Sequence, residues 1–385
     1  MTNLITTTDE LSAFRERLRG AAFVTVDTEF LREKTYYPQL CLVQVGGPDE
    51  AAAIDPLAPG IDLAPLFDLM DDPGTLKVFH AARQDVEIFL NLTGRIPTPI
   101  FDTQIAAMVC GFGESVSYEQ LAGRLAGARI DKSSRFTDWS ARPLTERQVV
   151  YALSDVTHLR PVYEKLEKRI AKSERSHWLA EEVAILTDPG TYRVDPDMAW
   201  RRFRLRSSEK PRFLAVLKEL AAWREREAQR KDRPRNRVLR DEAVLEIAAH
   251  APTTVDDLAR TRGFGRAAAE GRYGQEILQA ITRGLELPAD AVPRPDTRPE
   301  PAGGTGPTVE LLKVLLKLVC DESEVAAKLV ASSADLEAIA ADDEADVPAM
   351  HGWRRDLFGE RAIGLKTGRT ALAISGRRVV AVDLP

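Results

Sequence analysis

The apolar run Phe23-Val24-Thr25-Val26 ends on two acids, Asp27 and Glu29, two residues apart. A β-strand alternates its side chains, so this spacing puts both carboxylates on one face at the strand's end. Two neighbouring acids repel, and they coexist only with a cation nearby or with raised pKa values. The competing reading is a solvated strand end that needs no ligand.

Around this strand the first 170 residues read as α/β. Thr7-Thr8-Asp9-Glu10 is a capping box that opens a helix reaching Leu18. Leu40–Val45 and Ala51–Ile54 are further strands, and Gly46-Gly47-Pro48-Asp49 between them predicts a hairpin. Leu76–Phe79 is a fourth strand, helical periodicity follows from Ala82 to Leu90, and a fifth strand lies near Ile100 before several helices. Hairpin strands followed by strand–helix alternation give a mixed sheet flanked by helices.

Two more acidic features accompany the first. His80-Ala-Ala-Arg-Gln-Asp85 follows the fourth strand directly, which sets Asp85 in the first turn of a helix, where the dipole favours an anion even without function. Tyr151 and Asp155 stand four apart on a helix, so hydroxyl and carboxylate face one point. Singly, each has an ordinary structural explanation. Together they amount to four carboxylates and a phenol, a charge that two divalent cations would neutralise. All-oxygen ligands suit Mg²⁺ or Mn²⁺ rather than zinc. A paired-metal site activates water and stabilises the leaving oxygen of a phosphodiester.

The stretches FVTVDTEFLREKTYYPQLCLVQV (23–45), HAARQDVEIFL (80–90) and DKSSRFTDWSARPLTERQVVYALSDVTHL (131–159) resemble, in order and context, the three exonuclease motifs of the bacterial ribonuclease D family within the DEDD superfamily. The resemblance implies a DnaQ-like, ribonuclease H-like fold and metal ligands at Asp27, Glu29, Asp85 and Asp155. It also implies a water-positioning role for Tyr151. One branch of the superfamily places Tyr four residues before the last Asp, the other His five before; Tyr151 and Val150 assign this chain to the tyrosine branch. His158 follows Asp155 and reads as a surface or packing residue, and His80 as a packing residue. The implied reaction is 3′→5′ hydrolysis of RNA from a free 3′ end, releasing nucleoside 5′-monophosphates. Precursor tRNA and other small structured RNAs are the implied substrates.

Residues 208–287 read as purely helical, with a long amphipathic helix over Arg212–Arg230 that Pro234 ends. RPRNRVLRDEAVLEIA (233–248) resembles the HRDC domain, the helicase-and-RNase-D C-terminal module, which implies nucleic-acid contact. Arg224 to Glu227 fits a solvated face of Glu–Arg pairs. Arg233, Arg235 and Arg237 carry no interleaved acid and read as phosphate contacts. Lys132 is a further candidate, and Phe136 and Trp139 can stack a base or pack a core. Pro288 to Pro307, with six prolines and three glycines, is a linker by composition. Beyond it, Thr308–Leu318, Glu322–Ser332, Ala334–Ala341 and Trp353–Leu357 predict a second bundle that matches the family's second HRDC-type domain in position. Its early helices are acidic, which argues against phosphate binding there.

The expected architecture is therefore an α/β mixed-sheet exonuclease domain (1–170), a helical connector (171–207), a first HRDC domain (208–287), a linker (288–307) and a second all-α HRDC-like domain (308–385). A net charge of −6 argues against a polyanionic partner only as an average. Residues 192–240 hold 16 Lys and Arg against 7 Asp and Glu. Three distant cysteines encode neither disulfides nor a zinc cluster. The polar N-terminus and the lack of a long apolar run point to a cytoplasmic chain with no membrane association. No obligate protein partner is evident. Two rival readings are a 3′→5′ DNA exonuclease on the same fold, and a non-catalytic RNA-binding protein.

Overall fold

Strand β2 (Phe23–Leu31) sits inside a six-stranded sheet of order β1-β4-β3-β2-β5-β6 in the computed structural model, which describes residues 3–131, 137–206, 208–294 and 304–384. The other strands are β1 (Leu4–Ile5), β3 (Gln39–Gly46), β4 (Ala51–Ile54), β5 (Leu76–Phe79) and β6 (Ile100–Asp102). β3 and β4 form the predicted hairpin, antiparallel with Gly46 opposite Ala51. β2 pairs β5 and β5 pairs β6 in parallel, with Phe23 opposite Leu76. β3 is buried from Leu40 to Gly46, the pattern of a central strand covered on both faces.

Helices α1 (Thr8–Arg17), α2 (Ala64–Asp71), α3 (Arg83–Thr93), α4 (Thr103–Val109), α5 (Tyr118–Ala126), α6 (Glu146–Thr157), α7 (Leu159–Ser173) and α8 (Ser176–Thr187) accompany the sheet. The capping box at Thr7 and Glu10 opens α1 as predicted.

The chain divides into two compact units. One holds residues 1–29, 40–191 and 299–385, the other residues 30–39 and 192–298. Within the first, the C-terminal segment shares a hydrophobic core with the helices around the sheet. The Ala326 N–H donates to Met108 O at 3.0 Å, and Trp178 stacks on Trp353 with ring centroids 4.2 Å apart. Gly111 adopts φ +74, and a Cβ there would lie 2.6 Å from Glu324 O, so glycine permits the close approach of the two segments.

Two details of the C-terminal segment differ from the sequence reading. α15 (Thr305–Ser323) starts inside the Pro/Gly-rich stretch, because a proline in a helix's first turn forfeits no intrahelical hydrogen bond. The segment is also not all-α. After α16 (Ala327–Val330), α17 (Ser333–Ala341), α18 (Gly352–Arg354), a π-turn over Arg355–Gly359 and α19 (Glu360–Lys366) comes an antiparallel hairpin, β7 (Thr370–Ser375) and β8 (Arg378–Asp383), turned by Gly376 at φ +64.

The second unit is built on α9 (Pro211–Lys231), surrounded by a 3₁₀ helix (Pro196–Arg202), α10 (Arg235–Val238), α11 (Asp241–His250), α12 (Val255–Arg260), α13 (Arg266–Glu270) and α14 (Arg272–Leu285). The helix ends at Asp232, which is left-handed at φ +47 and precedes Pro234 by two residues. The charged stretch Arg224–Glu227 is not a solvated face: Arg224, Glu225 and Glu227 are buried. The reason is pairing. Arg224 meets Asp241, Glu225 meets Arg235, and Glu227 meets Arg230 and Lys231.

Candidate active site

Asp27 and Glu29 lie on one face of β2, as the two-residue spacing requires, but within the strand and not at its end, since β2 runs on to Leu31. α6 brings Tyr151 and Asp155 to the same place, and its position is set by named contacts. Thr145 caps it in a capping box with Gln148. Thr25 Oγ1 donates to Val156 O at 2.7 Å, and Tyr118 OH donates to Ser154 O at 3.1 Å. A Cβ at position 46 would stand 2.4 Å from Thr25 Oγ1 and 3.2 Å from Val156 O, so Gly46 is what lets the helix approach the sheet.

Asp27, Glu29 and Asp155 each offer an oxygen within 4.8 Å of the others. Oxygens around one cation at about 2.1 Å lie up to about 4.2 Å apart, so small adjustments suffice to hold a hard divalent ion. Asp85 stands outside that trio. It is buried in the first turn of α3, accepts a hydrogen bond from Thr28 Oγ1 at 2.5 Å, and feels the charge of Asp27. Burial pushes Asp27 up to about 7. Burial, and then the Asp27 charge, hold Asp85 well above the usual carboxylate range. Acids kept this costly without a counter-charge fit divalent cations, and an all-oxygen donor set favours Mg²⁺ or Mn²⁺.

The trio, Thr28, Tyr151, Tyr118 and His80 line a cavity of about 520 Å³. Tyr118 and His80 were not among the sequence-predicted site residues. Burial first, then the charges of Asp155 and Asp27, drive the Tyr118 phenol far above its ordinary pKa. His80 Nδ1 lies 3.0 Å from Thr103 Oγ1, and burial lowers the imidazole's pKa. Asp102 shapes the turn before α3, accepting the N–H groups of Ala81 (left-handed, φ 61) and Ala82.

Trp139 is buried and stacks on Tyr151 with centroids 6.1 Å apart, which resolves its two readings toward packing. The Arg142 guanidinium pins this loop: it grips Asp55 in a fork at 2.7 and 2.6 Å and reaches Trp139 O and Cys41 O. Lys132 and Phe136 lie outside the described residues. Arg233 and Arg237 are exposed on the second unit. Arg235 departs from the expectation of a solvent-facing phosphate contact, because its fork is bound to Glu225 and Tyr36 OH and its side chain is 21% exposed. His158 is half-buried between α6 and α7. Among the described residues no helix is long and apolar enough to cross a membrane.

The raised Asp27 pKa has a measurable consequence. A cation needs the ionised carboxylate, so binding releases a proton. Apparent Mg²⁺ or Mn²⁺ affinity should rise by up to ~tenfold per pH unit below about 7 and level off above it. Metal titration calorimetry at pH 6, 7 and 8 checks this, and equal affinity at all three would contradict it. Asp27's own contribution to the metal-free fold runs the other way: with a folded pKa above the unfolded one, it is fully present below the ordinary carboxylate range and is lost as pH rises through about 7.

Comparison with known proteins adds to the geometry. A family model described as 3′-5′ exonuclease matches residues 2–171, and an HRDC domain model matches residues 213–281. The chain is 54% identical to Ribonuclease D of Gluconacetobacter diazotrophicus over 98% of its own length and 95% of the relative's. It is 52% identical to Ribonuclease D of Nitrobacter hamburgensis over 99% of each. The crystal structure of Escherichia coli RNase D, described as an exoribonuclease involved in structured RNA processing, superposes with a TM-score of 0.80 at 32% identity, covering 96% of this chain and 99% of that one. The catalytic core of RRP6 from Trypanosoma brucei shares the fold at 23% identity, with a TM-score of 0.56 over 73% of this chain and 79% of that one.

Proposed function

The chain belongs to the ribonuclease D family, and from that membership together with the acidic cluster we infer how its residues degrade RNA. It is a metal-dependent 3′→5′ exoribonuclease. In our reading, Asp27, Glu29 and Asp155 hold one divalent cation, and Asp85 with Asp27 holds a second. Mg²⁺ and Mn²⁺ are the ions that this donor set suits. The observation that carries the reading is the convergence of Asp27, Glu29 and Asp155 within 4.8 Å at the wall of an open cavity.

Bound there, the cations supply Lewis acidity, lowering the pKa of an attacking water and offsetting charge on the phosphodiester. The chain's own groups do the rest. The carboxylates fix where charge can be neutralised, and α6 sets the Tyr151 hydroxyl one turn before Asp155, where it orients the water for in-line attack. Its part is to hold the water in place, not to remove the proton. Tyr118 keeps its own proton, engaged on Ser154 O, and closes the cavity wall. The product is a nucleoside 5′-monophosphate.

Precursor tRNA and other small structured RNAs with a free 3′ end are the substrates we assign, in the cytoplasm. Exposed Arg233 and Arg237, and Lys132, are the phosphate contacts of this reading. Comparing matched substrates tests it. A tRNA with a 3′ extension should lose the extension and stop at the folded body, and a DNA strand matched to the extension should be degraded far more slowly. Equal rates on the DNA would favour the DNA exonuclease reading.

A further inference from the structure

Inside the second unit, residues 30–39 and the helical segment enclose a cavity of about 330 Å³. Four arginines line it: Arg32, Arg202, Arg224 and Arg235. Two of them lie over aromatic rings, the Arg235 guanidinium carbon 4.6 Å from the centroid of Tyr36 and that of Arg224 5.3 Å from that of Phe203. Both rings also belong to the wall.

The charges do not close. Arg235 gives Nε and Nη2 to Glu225, and Tyr36 OH accepts from Nη2 while donating to Glu225. Among the described residues no acceptor faces its Nη1. Arg224, only 3% exposed, gives Nη1 to Leu239 O and Asp241 Oδ1 and leaves its buried Nε without a partner among the described residues. Arg202 is exposed and has no hydrogen-bond acceptor among them. Two carboxylates, Asp241 and Glu225, thus serve three guanidiniums, those of Arg202, Arg224 and Arg235, that cannot lose their protons. Gathering uncompensated guanidiniums around a partly enclosed space costs free energy unless an anion completes it. Arginine forks match the oxygens of a phosphoryl group two at a time. The volume sits at the lower end of small-ligand pockets.

We propose that this cavity is a phosphate-binding site, separate from the carboxylate cluster, that takes a phosphoryl group on the Arg202, Arg224 and Arg235 guanidiniums against the Tyr36 and Phe203 rings. The phosphoryl group is either a backbone phosphate of bound RNA or a free phosphate such as the 5′-phosphate of a released mononucleotide; the RNA source rests on the exoribonuclease reading. The structural work of Arg235 and the phosphate site are compatible, since the first uses Nε and Nη2 and not Nη1.

The test uses the full chain in chelating buffer, where no hydrolysis occurs, so this site and the catalytic assignment fail independently. Inorganic phosphate and adenosine 5′-monophosphate are titrated by calorimetry. A single-stranded RNA is titrated by fluorescence anisotropy at several salt concentrations. Arg202→Gln, on an exposed residue, and Asn236→Asp, which adds a negative charge to the wall, are compared with the unaltered chain. We expect each variant to weaken phosphate binding by ~tenfold, as loss or repulsion of one charge-assisted contact predicts. We expect Arg202→Gln to reduce the RNA salt slope by about 0.7, the value for one single-strand phosphate. Competition between phosphate and RNA supports a ligand shared by both sources. A variant effect on RNA without phosphate competition supports the polymer as the source, and an effect on phosphate alone supports the free ligand. Unchanged binding of phosphate, mononucleotide and RNA in both variants, each retaining the parent's thermal midpoint, overturns the proposal.

Discussion

Asp27→Asn should leave a folded chain that binds RNA and hydrolyses it at least ~10³-fold more slowly, the scale of several kcal/mol of transition-state charge stabilisation. Asp27 is shared: it is one of the three acids within 4.8 Å, and its charge is what Asp85 feels most after burial. Asparagine keeps the size and a hydrogen-bonding oxygen but removes the anion that both proposed cation positions need. The fold should not suffer. Burial already penalises the Asp27 charge, holding its pKa at about 7, so a neutral amide relieves that cost. At pH 8 without metal, the variant's thermal midpoint should match or exceed the parent's. Asp155→Asn should behave alike toward RNA, with hydrolysis lost and binding retained. Single-turnover assays read the rate, and anisotropy in chelator reads the binding. Undiminished cleavage by either variant would remove the carboxylates from the mechanism.

Tyr151→Phe should lower kcat by ~10²-fold while metal affinity and the RNA dissociation constant stay near those of the parent, the lower end of what a positioned proton-handling group contributes. Phenylalanine preserves the ring and with it the stacking on Trp139, so the loop before α6 keeps its packing. Only the hydroxyl's hold on the attacking water is lost. Metal titration separates this from a structural role. If the variant kept its kcat and lost metal affinity instead, the hydroxyl would be supporting Asp155 rather than orienting water.

The chemistry-bearing acids were legible in the sequence because each rests on a local period. A two-residue step on a strand joins Asp27 to Glu29, a four-residue step on a helix joins Tyr151 to Asp155, and Asp85 follows a strand in a helix's first turn. Tyr118 carries no such mark. It enters the site because α5 packs against α7, and its hydroxyl reaches a carbonyl of α6, 36 residues away. The Arg142–Asp55 fork spans 87 residues, and no spacing rule pairs them. Arg235 shows the same limit from the other side. Its neighbours carry no acids, so the run reads as a free cationic patch. Its partners are Glu225, ten residues back across a helix end, and Tyr36, 199 residues away. The charged face of α9 is ambiguous in the sequence for a related reason: helical charge pairing looks identical whether the surrounding helices cover it or not. The terminal hairpin escaped because its strands are short and half-exposed, leaving weak alternation.

The central claim is that a cluster of carboxylates on a ribonuclease D-type domain cuts RNA from its 3′ end through bound divalent cations. One assay meets it directly: a tRNA with a 3′ extension labelled at its terminal residue, incubated with the full chain while Mg²⁺ or Mn²⁺ is titrated from chelated zero, with the released species identified. The account predicts no release under chelation, saturable release as metal is added, and nucleoside 5′-monophosphates as the first products. Cleavage that persists in chelator, or first products that are oligonucleotides or 3′-monophosphates, would contradict it.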